Sequence, residues 1–588
     1  MLLVCFFTAL LIFFGGIILS VFAARAGLDN GSKPVNHVFA GTFISSTVLF
    51  LPIYSKYFEG TDLIWIKTIL LSIHNSIRIF IVDGEFDIVH NTLLETGHWI
   101  ATPYTILFAL IYITAPILTF SIVLSLVKDL SAFLNVCFTF FGKIYIFSEM
   151  NEQSIALARS IKEKEKRSKI VFTNVTNLES DNNNALVQKI KQIRGIIFKK
   201  DILSIGLGLS ASSRVSFFMI GENKHKNTKE ALEIIKKYKN RSKTDVYVFS
   251  SEAEDSLLIE NAERGKLKIR IKDQPRALIY DYLYKNGEKL FKQAEENMIR
   301  AMIVGMGNYG MNMLKTLSWF GQIADYKLYI AAYDMDPCIE DLFAGECPEL
   351  YDPKINGRFD SGDAQYEIKV SSVESYYTKT FATVISDYRP TFVFIDAGND
   401  EKNIHLSAKI RQTCERIGIH PGIVTVCSDP VLNDNLTGLK NQRGQQYDIE
   451  YIGNINQAYS AEVAIATELE EKALKHHLKW GDEAGFWASP YNYNSSIATT
   501  MHSSLKQKMG VVGAGKKESE LTEQERDELE KLEHRRWNAY MRSEGYVFSG
   551  DTDPSSRNDL GKMHHNLVPF NSLSEEDKRK DSKVGSKE

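Results

Sequence analysis

Hydrophobic and polar positions divide the chain into an apolar first quarter and a polar remainder. Leu2–Ala24 carries no charged residue, and as a helix rising 1.5 Å per residue it covers the ~30 Å hydrocarbon core of a bilayer. His37–Tyr54 is a second candidate span, softened by Ser45, Ser46 and Thr47, and Tyr104–Val127 is a third, uncharged throughout but interrupted by Pro116. A cleaved signal peptide is the rival reading of the first run; against it stand the missing basic stretch before the run and the run's length. Leu63–Val82 is also apolar but holds Lys67, His74 and Arg78, a composition that predicts an interfacial helix rather than a fourth crossing.

Basic residues in the short loops give the orientation. Arg25 and Lys33 follow the first span and Lys128 follows the third, whereas the 55–103 segment holds six acids against Lys56, Lys67 and Arg78. This predicts a multi-pass protein of the cell inner (plasma) membrane with its N-terminus outside and everything after residue 128 cytoplasmic.

From Lys143 onward, short β-rich runs alternate with helical stretches, the pattern of a parallel sheet with crossover helices. KIYIF, KIVFTNV, GIIF, RVSFFMIG, DVYVFS and KLKIRI supply the strands of a first unit, 142–292, closed by a helix over Arg276–Phe291. Its first turn reads F-S-E-M-N-E-Q-S, without a glycine to let a backbone approach a pyrophosphate, which argues against ordinary dinucleotide binding there.

A second unit, 296–456, opens with IRAMIVGMGNYG. Gly305, Gly307 and Gly310 follow a strand and start a helix at Asn308, and the next strand, KLYIAAYD, ends at Asp334. Such glycines permit a tight turn, close approach of a phosphate and helix packing on the sheet, and the acid suits a ribose hydroxyl. Further strands TFVFID and IVTVCSD bring the loop Asp396–Asn403, with Asp396 and Asn399, to a carboxyl strand end as a pocket wall. The implied cofactor is NAD(P) or another adenine nucleotide, against the alternative that the glycines serve packing alone.

Lysine and arginine total 69 against 73 acids, a net charge of −4, which excludes an electrostatic footprint for nucleic acid. The six cysteines lie apart, without a CxxC pair, which fits reduced thiols and indicates no metal site. His476 and His477 are adjacent on a predicted helix over Ala461–Lys479, too close in sequence to share a ligand-bearing face, and are expected on a solvated face.

The last segment, 457–588, is expected to be a small, mainly α module. Thr522-x-x-Glu525 is a capping box that starts a helix presenting Leu529, Leu532, Trp537 and Tyr540. Trp537 reads either as core or as a stacking surface for a base, with His534 and Arg536 nearby as polar reporters.

Two resemblances follow. E-H-R-R-W-N-A-Y, G-Y-V-F-S-G and H-N-L-V-P-F with S-L-S-E-E-D-K-R-K-D, together spanning 521–585, resemble the ryanodine-receptor repeat. FWASPYNYNSSIATTMHSSLKQKM resembles the first half of a tandem repeat. That resemblance implies adenine-nucleotide binding at His534, Arg536, Trp537 and Tyr540, contacts between domains, and no chemistry. Two Rossmann-like units after membrane spans resemble the regulatory nucleotide-binding domains of potassium channels and transporters, over about 142–455. The chain departs from that pattern in lacking glycines in the first unit and a TVGYG-type filter in the membrane part.

The expected fold is thus an α-helical transmembrane part, then α/β doubly wound Rossmann-like domains, then the C-terminal module. No nucleophile motif, P-loop lysine, zinc helix or kinase triplet occurs, so the chain reads as a non-enzymatic sensor. It would be a membrane-anchored, homo-oligomeric receptor or effector in contact with the lipid bilayer and controlled by a nucleotide ligand. A membrane-tethered NAD-dependent oxidoreductase and a protein-binding scaffold are the alternatives.

Overall fold

The computed structural model describes the chain except for 27–33, 127–133, 135, 140–141, 175–180, 199–200, 208–211, 251–252, 355–364, 466–467, 551–556 and 579–588. Lys33 and Lys128, which bear on orientation, lie outside the described residues. The chain divides into two compact units, Met1–Asn135 and Val136–Glu588.

In the first unit three helices are long and apolar enough to cross a membrane, over Leu2–Phe22, Asn36–Tyr57 and Ala101–Ser121. They belong to α1 (Leu2–Ala26), α2 (Pro34–Tyr57) and α5 (Ala101–Leu126), with α3 (Ile64–Ile79) and the short α4 (Phe86–Glu95) between the second and third. α1 and α2 meet through glycines: a Cβ on Gly16 would lie 2.8 Å from the His37 carbonyl oxygen, and one on Gly41 3.1 Å from that of Ile12. Small residues permit this approach where lipid supplies no hydrophobic drive between helices. Phe50 packs edge-on against Phe108, and the Tyr104 hydroxyl donates to the Leu49 carbonyl, fastening α5 to α2.

The apolar stretch Leu63–Val82, expected as an interfacial helix, contains the helix α3, Ile64–Ile79. α3 packs lengthwise on α2, where Thr47 Oγ1 donates to Ser76 Oγ at 3.0 Å. Of the serine and threonine run in the second span, Thr47 faces this helix, while Ser45 Oγ donates to the Ala9 carbonyl of α1 at 3.0 Å.

The second unit contains two parallel six-stranded sheets of the same winding. Strands β1 (Lys143–Phe147), β2 (Lys169–Phe172), β3 (Ile196–Ile197), β4 (Arg214–Met219), β5 (Thr244–Phe249) and β6 (Lys268–Lys272) lie in the order β3-β2-β1-β4-β5-β6. Strands β7 (Met298–Val304), β8 (Lys327–Asp334), β9 (Tyr366–Ser372), β10 (Phe392–Ile395), β11 (Gly422–Val426) and β12 (Ile449–Ile452) repeat it as β9-β8-β7-β10-β11-β12. Each is the Rossmann order, in which the connections leave the central pair in opposite directions and open a crevice at the carboxyl ends. Helix α6 (Glu152–Lys164) follows β1 and α7 (Lys224–Tyr238) follows β4; α8 (Gln274–Asn286) leads into the second sheet, where α9 (Asn308–Phe320) follows β7 and α10 (Asp400–Arg416) follows β10.

The helix expected over Arg276–Phe291 breaks at Gly287, where a Cβ would lie 2.4 Å from the Phe320 ring, so close packing by α9 requires the glycine. The helix expected over Ala461–Lys479 is two pieces, Ala461–Ala464 and α11 (Glu468–His477). The first returns to the first sheet: the Ala461 amide donates to Ser160 Oγ at 3.0 Å, and Ala461 and Ala464 join that sheet's core. His477 is not on a solvated face. It is buried between the rings of Trp480 and Phe486, because Phe486 folds back over it and Ser496 Oγ, 3.2 Å from Nδ1, supplies a polar partner.

The C-terminal helices α12 (Pro490–Lys508) and α13 (Glu523–Ser543) share one apolar core with the second sheet. The capping box forms as expected, Glu525 N donating to Thr522 Oγ1 at 3.2 Å and Thr522 N to Glu525 Oε2 at 3.0 Å. Tyr540 meets Trp319 of α9 edge-on at 6.0 Å, and the Phe548 amide donates to Glu349 at 2.8 Å. Residues of the 457–588 segment thus share an apolar core with the second sheet.

Candidate functional site

β7 ends in a turn that only glycine can build. Gly305 sits at φ +91°, and a Cβ there would lie 2.0 Å from the Asp396 carbonyl oxygen; one on Gly310 would lie 1.9 Å from the Gly305 carbonyl oxygen. These contacts force β7, its turn and the end of β10 together.

The same approach puts the Asp396 carboxylate over the start of α9. Its Oδ2 accepts from the amides of Tyr309 at 3.1 Å and Gly310 at 3.2 Å, beside Gly307, the residue that caps the helix. A helix N-terminus attracts an anion through its free amides and dipole, and here the protein supplies the anion. Burial pushes the Asp396 carboxyl up, with the two amides pulling the other way and Asp334 adding to the rise. Asp334 turns inward, its Oδ2 accepting from the Met306 amide at 2.6 Å and its Oδ1 from the Asp336 amide at 2.9 Å. Asn308 opens α9, and Asn399 caps α10 by accepting from the Lys402 amide at 2.9 Å. The structure thus gathers Gly305, Gly307, Asn308, Gly310, Asp334 and Asp396 around one turn, in which internal carboxylates meet the amides a phosphate would use.

A cavity of about 230 Å³ lies at the corresponding crevice of the first sheet, lined by Gln153, Ile220, Gly221, Glu222, Lys224, Phe249 and Tyr459. Two asparagines shape it in place of a glycine loop. Asn151 caps α6 by accepting from the Ser154 amide at 2.8 Å and donates to the Ile220 carbonyl at 2.8 Å, joining the ends of β1 and β4. Asn227 holds Gly221 like a paired peptide: it accepts from the Gly221 amide and donates to the Gly221 carbonyl, both at 2.9 Å. A Cβ on Gly221 would stand 2.6 Å from Glu149 Oε2 and 2.9 Å from Asn227 Oδ1, so a side chain there would displace both. Behind it, burial lifts the Glu230 carboxyl to about 7, with Lys226 opposing and Glu149 reinforcing the rise.

Tyr459 makes the cavity a shared feature of both sheets. It follows β12 in sequence yet packs its ring 5.9 Å from Phe249 at the end of β5, and burial pushes its hydroxyl up to about 12. It also stands close enough to Tyr309, on the second sheet's turn, to disfavour that residue's ionised form after burial has already done so. A faint signal for this site lies in the sequence, an asparagine at or near the start of the helix after each of two strands and an isolated Gly221. Neither feature belongs to a glycine motif, and the arrival of Tyr459 is purely tertiary.

Arg536 is buried and paired with Glu533 at 2.7 Å, and Tyr540 is buried against Trp319. His534 is buried, its Nε2 2.8 Å from the Val568 carbonyl oxygen. Trp537 is partly exposed, stacked on His534 at 5.7 Å and edge-on to His564 at 4.9 Å. Three of the four are thus engaged inside the protein, leaving Trp537 as the one with surface.

No protein-family model and no curated protein matches the chain. Among solved structures it is similar to the crystal structure of a GsuK mutant, with 13% identity and a TM-score of 0.36 over 72% of this chain and 96% of that one, values too low to assign an activity.

Proposed function

We propose that this chain is a membrane-anchored sensor of a small ligand, and that the ligand enters the cavity between β1 and β4 of the first sheet. The observation that carries the proposal is Tyr459, which walls that cavity while belonging to the segment that leaves the second sheet. A ligand held by Lys224, Glu222 and Gln153 and stacked on Phe249 or Tyr459 would bind one arrangement of the two sheets better than another, which is what a sensor requires. Two aromatic side chains beside a lysine, a glutamate and a glutamine suit a flat heterocycle with polar substituents, so a nucleotide is the class to test first. An adenine nucleotide such as NAD(P) at the second sheet is a further reading, favoured by the glycine geometry, and there the phosphate would have to displace Asp396. The C-terminal resemblance offers Trp537 as the accessible stacking surface for a third contact. Assembly of several copies, a cytoplasmic location for the body and control of ion passage or membrane integrity belong to the same proposal.

The test is thermal unfolding of the full chain in detergent micelles with a panel of nucleotides, on the parent and on Tyr459→Ala and Gly307→Asp. A binder present at 100 times its Kd should add ~2.7 kcal/mol to the stability of the bound unit. A shift lost only in Tyr459→Ala locates the ligand in the first cavity, whereas one lost only in Gly307→Asp moves it to the second sheet. The absence of a shift with every nucleotide overturns the nucleotide class.

A further inference from the structure

The segment between the second and third long helices is built inside out. α3 turns Trp65, Ile66, Ile69, Leu70, Ile73 and Ile77 outward, while Thr68, Ser72, Asn75 and Ser76 are fully buried. A helix on a water-soluble body shows the opposite arrangement. The exposed faces of α1 and α5 are apolar too, with Leu11 and Phe14 on one and Ile106 and Ile113 on the other, so the hairpin continues their apolar girdle.

Contacts along α2 give the depth. α3 starts near the C-terminal end of α2, where Lys67 Nζ lies 6.0 Å from the Phe58 ring. Just past its other end Phe80 packs against Phe39 at 4.6 Å and Phe43 at 6.4 Å. Those two rings are the fourth and eighth residues of the Asn36–Tyr57 span and flank Gly41, which meets Ile12, the middle residue of the Leu2–Phe22 span, so the turn is level with the middle of the first span and past the middle of the second. There the chain turns back. Tyr54 donates to Glu85 at 2.9 Å, Phe86 packs on Phe108 at 5.9 Å, and Glu95 at the end of α4 pairs with Lys56 at 3.5 Å, beside the point of departure. In the turn Arg78 reaches Glu85 at 3.0 Å and Asp83 at 3.1 Å, and it donates to Asn75 Oδ1 at 3.0 Å. Charges at such depth are tolerated when paired and hydrogen-bonded in this way.

We propose that residues 64–95 form a re-entrant hairpin that enters the bilayer on the side of Tyr57, turns at mid-depth and leaves on the same side. The outward face of α3 lies against lipid acyl chains, and the Arg78–Asp83–Glu85 cluster stands near the bilayer centre. The hairpin adds no crossing, so α1, α2 and α5 remain three passes. The proposal rests on the membrane reading of these three helices and not on ligand sensing.

The test uses the full chain in liposomes, in a Cys338→Ser background that removes the exposed thiol. An environment-sensitive fluorophore on Trp65→Cys, Ile77→Cys or Leu94→Cys is quenched by lipids carrying a spin label at graded depth. The expected result is shallow quenching at 65, deep at 77 and shallow again at 94. A membrane-impermeant maleimide should reach Glu59→Cys and His98→Cys from the same side. Equal, shallow quenching at 65 and 77 overturns the proposal in favour of a surface helix, and labelling of 59 and 98 from opposite sides overturns it in favour of a fourth crossing. A fluorophore on Phe14→Cys separates these from failure of the membrane reading itself, since lipid that leaves residue 14 unquenched overturns both.

Discussion

At Gly305 the backbone takes a φ of +91° with the Asp396 carbonyl oxygen 2.0 Å from where a Cβ would sit. Alanine there meets strain and a backbone clash together, and Gly305→Ala is expected to destabilise the second unit by ~2 kcal/mol or more, read as a fall in the urea midpoint. Asp396 carries a different expectation. Asp396→Ala frees the amides of Tyr309 and Gly310, so millimolar pyrophosphate should raise the melting temperature of the variant and leave the parent unchanged. Equal responses would show that the carboxylate does not occupy an anion seat. The glycines were legible in the sequence because their spacing after a strand has few other uses. That Asp396 fills the turn they make was not legible, since it depends on where the β10 loop comes to rest.

Between elements, α12 and α13 are joined by buried charge: Glu533 lies 3.2 Å from Lys506 and 2.7 Å from Arg536, with His502 beside it. Burial alone would raise the Glu533 carboxyl, but the Arg536 and Lys506 charges override it and hold the group well below its ordinary range. For His502 burial dominates, and the imidazole is pushed down to about 3. The signs agree. A depressed carboxyl contributes stability above its unfolded value of 4.5 and loses it as pH falls; a depressed imidazole is protonated first in the unfolded chain, so acidification below 6.5 also favours unfolding. His502 and Glu533 should therefore remove stability as pH falls from 6.5 to 3, by roughly 1.4 kcal/mol per pH unit for each group that titrates, while the raised Glu230 carboxyl adds stability as pH falls from about 7 toward 4.5. Urea midpoints followed by circular dichroism at pH 7.5, 5.5 and about 4 on the parent and on His502→Asn measure it, and a difference between the two that is unchanged down to pH 4 would count against the neutral His502. Most elements were legible here from alternation and capping. The strands β9 and β12 were not: β9 is an edge strand whose outward positions are polar, and β12 has only four residues.

At the scale of the whole molecule, the C-terminal segment and the second sheet melt together if their core is one. Tyr540→Ala removes a fully buried ring between α13 and Trp319, a change expected to cost ~3–5 kcal/mol. Its effect should appear in the transition that reports on the second sheet, and a separate early transition for the C-terminal helices would favour independent modules. The sequence suggested a boundary at 457 because composition and motif change there, and neither property reports which surface a helix will cover. That shared core also bears on the order in which the protein is made. Arg276 and Glu544 are 268 positions apart and meet across it, so on the ribosome the outward face of α9 emerges long before α13 can cover it. Trp319 and its neighbours then await their partner as exposed apolar surface, and it is this interval of synthesis, rather than the finished fold, in which a chaperone would be needed.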